Sequence, residues 1–113
     1  MGLEIKVKNE NAVVIIQLVG NLDTNTAPDA EAEINKWLGE GSKKMVINLK
    51  ETKYVSSAGL RIFLATAKKM TAAGGAVKFC CPNEIVKEIL DISGFSTILD
   101  VRDSEEDAIF LLQ

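Results

Sequence analysis

Histidine is absent from this sequence of 113 residues. The chain therefore lacks the usual general base, the Ser-His-Asp and Cys-His nucleophile systems, and the commonest zinc ligand. No paired carboxylates in an evident cleft motif take their place. These absences exclude most hydrolase chemistry, and we expect a protein that is not an enzyme and needs no metal or cofactor.

Cysteine is nearly absent as well. The sequence has two, Cys80 and Cys81, and they are adjacent. Adjacent cysteines provide neither the CxxC redox spacing nor a metal-ligand set, and they do not indicate a secreted disulfide framework. We expect two buried thiols at the end of a strand.

An excess of basic residues and long apolar runs are also missing. The chain has 13 basic and 16 acidic residues, so its net charge is 13 − 16 = −3, and the basic residues are scattered. This balance argues against nucleic-acid binding. No segment approaches the roughly 18 unbroken apolar residues of a membrane span. The amino terminus, MGLEIKVKNE, lacks the apolar stretch of a signal peptide. We expect a cytoplasmic protein without membrane insertion.

What is present is the material for one folded domain over residues 1–113. The chain is 47% hydrophobic, enough for a real core at this length. Short apolar or alternating runs predict strands around residues 3–7, 12–19, 45–49, 77–81 and 98–101. The turn Asn9-Glu10-Asn11 between the first two predicts a hairpin.

Four segments have helical periodicity. The first carries an apolar stripe at Ala30, Ile34, Trp37 and Leu38, and Thr26 is a candidate N-cap with Asp29 three residues later. The second begins near Ser57 and ends before Gly74 and Gly75. The third begins after Pro82 and ends at Gly94, with four residues predicted to be buried: Ile85, Val86, Ile89 and Leu90. The fourth is SEEDAIFLLQ, in which Ser104 and Asp107 have capping-box spacing.

Strands and helices alternate after the initial hairpin, which favours βαβ crossovers. The predicted fold class is therefore α/β. We expect a mixed, mostly parallel sheet of four to five strands, with an N-terminal β-hairpin and about four helices covering at least one face.

The segment KYVSSAGLR, residues 53–61, does not fit a purely structural interpretation. It joins a buried strand to a helix, and two adjacent serines stand where that helix must begin. The first backbone N–H groups of a helix lack internal partners and favour an anion. Gly59, in the first turn, costs about 0.5–1 kcal/mol of helix propensity relative to alanine, which indicates close approach of another group. A simpler alternative remains: serine is a preferred N-cap, and glycine can ease packing.

Other phosphate and nucleophile motifs are missing. There is no GxSxG nucleophile elbow and no GxxxxGK[ST] P-loop. The third predicted strand ends in Asn48, Leu49 and Lys50, so a receiver-type phosphoacceptor aspartate is absent there.

The pattern of a strand followed by [DS]-S-[SA]-G-L and an amphipathic helix resembles the STAS domain of bacterial anti-sigma factor antagonists. The stretch GNLDTNTA, residues 20–27, is similar to that family's G-x-[IL]-D loop before its first helix. The segment EIVKEILDISGFSTILDV, followed by the acidic EEDA, is a third and weaker match. Together these motifs span nearly the whole chain in the family's order.

The resemblance implies a protein-binding switch. Members bind an anti-sigma factor that is itself a serine kinase, and this binding releases the sigma factor. Phosphorylation of one motif serine abolishes the binding, and a metal-dependent serine phosphatase reverses it. Carried onto this chain, the phosphoacceptor is Ser57. Ser56 stands where many members have aspartate, and it is the alternative acceptor.

The resemblance also implies a partner-binding surface around this serine. Its expected members are Asp23, Thr24, Asn25, Ser56, Ala58, Gly59, Leu60 and Arg61. Several have an ordinary structural alternative: Asp23, Thr24 and Asn25 suit a turn, and Arg61 suits a solvated helix position.

A second hypothesis assigns the chain to a lipid-transport or stress-signalling complex, as a STAS subunit whose same surface docks constitutively on a larger partner. A third, a small enzyme, lacks residues to carry out the chemistry. In either binding role we expect a monomer or a weak dimer.

Overall fold

A computed structural model describes residues 2–113 of the chain. The strands are β1 (Glu4–Glu10), β2 (Val13–Leu22), β3 (Lys44–Asn48), β4 (Thr52–Val55), β5 (Ala76–Cys80) and β6 (Val101–Arg102). The helices are α1 (Ala27–Gly39), α2 (Ser57–Ala72), α3 (Glu84–Ile92) and α4 (Glu105–Leu111), with a short 3-10 helix at Phe95–Thr97.

The strands form one mixed sheet in the order β1-β2-β3-β5-β6. Strand β1 pairs antiparallel with β2, and the pairs β2–β3, β3–β5 and β5–β6 are parallel. Strand β4 pairs in parallel with the last residues of β2. The predicted α/β class, the N-terminal hairpin and the mostly parallel sheet are therefore confirmed.

The sheet has six strands among the described residues, rather than the predicted four to five. The additional strand is β4, which lies in the segment interpreted from sequence as a connection to the second helix. The last strand also differs: it is only Val101–Arg102, because the N–H groups of Ile98 and Leu99 both donate to Phe95 O, at 3.0 and 2.8 Å. Those residues continue the helical turn and are not free to pair with β5.

The hairpin turn lies slightly later than the predicted Asn9-Glu10-Asn11. Glu10 pairs with Val13, which leaves Asn11 and Ala12 as a two-residue loop. Their φ angles are 54° and 66°. A positive φ at both central residues is the geometry of the tight turn that matches the twist of two antiparallel strands.

The sheet separates two apolar clusters because alternate residues of each strand point to opposite faces. On the first face, α1 packs against β2, α2 against β4 and β5, and α3 against β4. This cluster includes Ile16, Leu18, Ile47, Phe63 and Phe79. On the second face, the short helix α4 packs its Ala108, Ile109 and Leu112 against Val13, Ile15, Val46 and Cys80. Helices therefore cover both faces, but α4 covers its own only in part.

The third helix buries less than its pattern predicted. Val86 and Leu90 are buried, one helical turn apart, and Ile89 is half-buried, but Ile85 is 60% exposed. Only a narrow stripe of α3 meets the core, so the prediction that Ile85 is buried is wrong. At the end of β5, Cys80 is buried and Cys81 is half-buried, so the predicted burial of both thiols holds fully only for the first.

Candidate protein-binding surface

The parallel pairing of β2 with β4 places the two candidate segments side by side. Leu22 is in register with Val55, and the N–H of Ser56 donates to Leu22 O at 2.8 Å. The chain leaves the sheet at the same edge after both strands. The loop that begins at Asp23 and the helix that begins at Ser57 are therefore neighbours.

Ser56 is the N-cap of α2. Its backbone is extended, with φ −84° and ψ 176°, and its Oγ accepts a hydrogen bond from the N–H of Gly59 at 3.4 Å. Its carbonyl oxygen accepts from the N–H of Leu60 at 2.9 Å. Both contacts are typical of a serine that opens a helix. The hydroxyl of Ser56 is thus engaged in capping, and its residue is half-buried.

Ser57 is the first residue inside α2, and it is exposed. The first turn of this helix contains no acidic residue. An anion at Ser57 would therefore meet the positive end of the helix dipole without a competing carboxylate from the same turn. Of the two serines, the exposed one is the better placed to carry a phosphate.

Gly59 is buried at the contact between α2 and the sheet. A Cβ on this residue would lie 2.9 Å from Leu22 Cγ, Leu22 Cδ2 and Val55 Cγ1, closer than carbon atoms can pack. The close approach expected from sequence is thus made by the protein's own β2 and β4. Leu60 is only 8% exposed. These two residues seat the helix and lie beneath the surface.

The loop before α1 is closed by Asp23. Its Oδ1 accepts hydrogen bonds from the N–H groups of Asn25 at 2.9 Å and Thr26 at 3.1 Å. The Thr26 hydroxyl donates to Asn21 O at 2.7 Å and accepts from the N–H of Asp23 at 2.9 Å. These bonds form a compact polar turn whose carboxylate is half-buried. Thr24 and Asn25 are exposed at its tip.

Thr26 does stand at the N-cap position of α1, but its side chain makes no capping bond to the helix. The predicted capping pair of Thr26 with Asp29 is therefore not formed. The hydroxyl points back to the Asn21 carbonyl instead, and Thr26 is 5% exposed. The polar groups that would cap the helix are used to fix the loop in front of it.

The exposed residues of the two segments form one surface, which we call the loop–helix surface. It consists of Thr24, Asn25, Ser57 and Arg61, with Ala58 half-buried among them. Arg61 is four residues after Ser57 and so lies on the same side of α2. Among the ion pairs within residues 2–113, none involves Arg61. Its guanidinium is available to a carboxylate or phosphate of another molecule.

Sequence reasoning missed Tyr54, which borders this surface. It is paired with Asn21 across β2 and β4 and is 48% exposed. Exposed tyrosines are frequent in protein interfaces because one ring combines apolar area with a polar tip. The available signal was that this is the sequence's only tyrosine, placed two residues before the serine pair.

Metal-binding clusters and membrane-spanning helices are both absent from the part of the chain that the structure describes. Within residues 2–113, no group of three or more His, Cys, Asp or Glu side chains is placed to hold a metal ion. In the same range, no helix is both long and apolar enough to cross a bilayer. The loop–helix surface consists mostly of small, uncharged side chains, and two of them, Thr24 and Ser57, are exposed hydroxyl residues.

This fold, with a serine-capped helix beside the loop after β2, defines the chain as a STAS-domain protein. The sequence pattern of the STAS domain matches residues 4–108, and the chain belongs to that family. Among its relatives is BtrV of Bordetella bronchiseptica, 34% identical over 98 residues that cover 87% of this chain and 84% of BtrV. Another is the anti-sigma F factor antagonist of Paenibacillus polymyxa, 28% identical over 100% of this chain and 97% of the relative.

Solved structures have the same fold. SpoIIAA, an anti-sigma factor antagonist solved in its unphosphorylated form, superimposes with a TM-score of 0.80, at 21% identity, over 94% of this chain and 93% of its own. The phosphorylated form of the Bacillus SpoIIAA gives a TM-score of 0.74, at 20% identity, over 97% of this chain and 100% of its own. At these identities the likeness establishes the fold.

Proposed function

We propose that the chain is an anti-sigma factor antagonist whose loop–helix surface binds an anti-sigma factor, and that phosphorylation of Ser57 controls this binding. The observation that carries the proposal is the exposed Ser57 at the first position of α2, beside the loop of residues 23–26. Relatives over nearly the full chain are anti-sigma factor antagonists by name, which supports the same role here.

The unphosphorylated surface suits a protein partner. Thr24, Asn25, Ser57 and Ala58 carry no charge, so a partner can cover them without desolvating an ion. Arg61 provides one cation at the margin, where it can pair with an acidic side chain of the anti-sigma factor. In this state the antagonist occupies the anti-sigma factor, and the sigma factor is released.

Phosphorylation changes the charge and leaves the scaffold intact. A phosphoserine adds about −1.5 to −2 charges at pH 7. The N-terminus of α2 stabilises this charge while it is solvated. A partner that covers the surface would have to remove the phosphate from water, which is costly without a matching cation. The partner therefore dissociates while the domain stays folded.

We assign the kinase to the anti-sigma factor itself, and the reverse reaction to a serine phosphatase, with both steps in the cytoplasm. Ser57 is preferred to Ser56 as acceptor for a structural reason. The Ser56 hydroxyl accepts the N–H of Gly59, whereas the Ser57 residue is exposed on the outside of the helix. A kinase can therefore approach Ser57 without opening the first turn of α2.

The first test is incubation with the cognate anti-sigma kinase and ATP, followed by intact-mass spectrometry. We expect the unmodified chain to gain one phosphate, Ser57→Ala to gain none, and Ser56→Ala to gain one, despite a stability loss of about 1 kcal/mol from the missing cap. Ser96→Ala, at an exposed serine of the 3-10 helix, is the matched control and should be labelled normally. Full labelling of Ser57→Ala would contradict the proposal that Ser57 is the phosphorylated residue.

The second test measures binding to the anti-sigma factor by calorimetry. Ser57→Asp should weaken binding at least about tenfold, because the partner would have to bury the new charge. A tenfold loss corresponds to about 1.4 kcal/mol, which is a modest cost for burying a charge. Ser96→Asp adds the same charge away from the surface and should bind as the unmodified chain does. Equal affinity of Ser57→Asp and the unmodified chain would instead favour constitutive docking on a larger complex.

A further inference from the structure

A groove of about 700 Å³ opens on the second face of the sheet, where α4 leaves part of the strands uncovered. Ile15 and Gln17 of β2 and Asn48 of β3 contribute to its lining, and Lys6 and Lys8 of β1 contribute from the neighbouring strand. None of its lining residues belongs to the loop–helix surface. Its size falls within the roughly 300–1,000 Å³ of small-molecule sites.

The groove is locally basic in an acidic protein. Its lining includes the lysines Lys6, Lys8 and Lys50 and the acids Asp103 and Glu105, a local charge of 3 − 2 = +1, whereas the whole chain carries −3. Lys8 is paired with Glu105, with Nζ 2.9 Å from Oε1. Within residues 2–113, neither Lys6 nor Lys50 forms an ion pair. Two ammonium groups therefore remain for an external anion.

One end of the groove already accommodates a carboxylate. Glu105 accepts a hydrogen bond from Asn48 Nδ2 at 2.7 Å as well as from Lys8 Nζ. Burial alone would raise the pKa of Glu105, but the bonds from Lys8 and Asn48, with the charges of Lys8 and Lys50, hold that pKa below its usual value. Lys8 and Asn48 thus stabilise the ionised form of Glu105 at this end of the groove.

We propose that this groove binds a small organic monocarboxylate with an apolar body. Its carboxylate would pair with the free ammonium groups of Lys6 and Lys50, and its body would lie against Ile15, Cys81 and Pro82. The lining contains no arginine, the residue whose planar guanidinium binds phosphate through two parallel hydrogen bonds. The apolar wall atoms beside these point charges favour an anion that carries an apolar body over inorganic phosphate, which has none.

The test titrates decanoate, below its micelle concentration, into the full chain and follows backbone NMR shifts and calorimetric heat. We expect saturable binding with shifts at Ile15, Gln17 and Asn48, and much weaker binding of decanol, which has the same body without the charge. The double variant Lys6→Gln/Lys50→Gln should lose at least about tenfold in affinity, as expected for charge-assisted bonds.

The matched control is Lys68→Gln/Lys87→Gln, which changes the net charge equally at exposed positions of α2 and α3. It should bind decanoate within about twofold of the unmodified chain, since long-range charge effects are largely screened at ordinary salt. Gln17→Trp should block the groove and abolish binding while circular dichroism shows an unchanged fold. Equal losses in the two double variants, equal binding of decanol, or no saturable binding would overturn the proposal.

Discussion

At the scale of single residues, the geometry of the loop–helix surface depends most on Gly59. We predict that Gly59→Ala destabilises the protein by about 1–3 kcal/mol, because the new methyl overpacks the contact of α2 with Leu22 and Val55. Alanine improves helix propensity by about 0.5–1 kcal/mol, which is too little to compensate. Urea unfolding followed by circular dichroism measures the difference.

Gly39→Ala is the matched control, because Gly39 is also a helical residue but a Cβ there would meet nothing within 4 Å. It should leave stability unchanged or raise it by up to about 1 kcal/mol. If both variants had the same stability, the close packing at Gly59 would not be a real constraint.

The same residues show what sequence reasoning can and cannot reach. Gly59 was recognised as a costly residue that something must approach, since propensity is a local property. Its contact, Leu22, belongs to a distant strand and depends on the pairing of β2 with β4. Likewise, Asp23 and Thr26 are both good capping residues, and only the folded loop determines that Thr26 bonds to Asn21 and not to α1.

At the scale of elements, the effect of an added negative charge on stability can be compared at the two ends of α2. We predict that Ser57→Asp raises stability by about 0.3–1 kcal/mol, because a negative charge at the first helical position interacts favourably with the dipole. Thr71→Asp, at an exposed site in the last turn, adds the same charge at the opposite end and should lower stability by a similar amount. Thermal unfolding at low salt measures both.

This comparison separates the two effects of a charge at Ser57. The charge should leave the stability of the fold unchanged or raise it, while it should weaken binding of the partner. A fall in stability for Ser57→Asp as large as that for Thr71→Asp would mean that the charge acts by unfolding the helix, and the proposed mechanism would need revision.

Elements were predictable from sequence where their periodicity was long. Helices α1, α2 and α3 were found because their apolar residues repeat along the helix, and α4 was found with the help of the capping-box spacing of Ser104 and Asp107. Strand β4 was missed because Thr52–Val55 is only four residues long and its burial does not alternate. The burial of Ile85 was overestimated because the pairs Ile85-Val86 and Ile89-Leu90 describe a wider apolar stripe than the sheet accommodates. Tertiary placement, which a local pattern does not contain, decides such cases.

At the scale of the whole molecule, two partly buried carboxylates link separate parts of the fold. Asp100 lies 2.5 Å from Lys78 Nζ and 2.6 Å from Arg102 Nε and so joins β5 to β6. Burial alone would raise its pKa, but the hydrogen bonds from Arg102 and Lys78 hold the pKa below its usual value. Glu105, whose pKa is lowered by Lys8 and Asn48, joins α4 to β1 and β3 in the same way.

These shifts predict how stability depends on acid. Both carboxyl pKa values are lower in the folded than in the unfolded chain, where they are about 3.9 for Asp and 4.3 for Glu. Their stabilising contribution is therefore complete above about pH 5 and is lost as the pH falls through the folded values. Urea unfolding between pH 7 and 2.5 should show a declining midpoint, with a smaller decline in Asp100→Asn/Glu105→Gln. An equal decline in that variant would exclude these two groups as the cause.

The loss of stability at alkaline pH has a different origin. Burial, with the neighbouring Cys81 thiol, raises the pKa of the Cys80 thiol well above its usual value. A group whose folded pKa is raised contributes stability that is complete below its unfolded pKa, about 8.5 for cysteine, and is lost at higher pH. Because histidine is absent, no side chain with an ordinary pKa titrates between about pH 5 and pH 8. We therefore predict a plateau in the free energy of unfolding from about pH 5 to 8, and a decline above it that is reduced in Cys80→Ala. A slope within the plateau, or an unchanged alkaline decline in Cys80→Ala, would contradict this assignment.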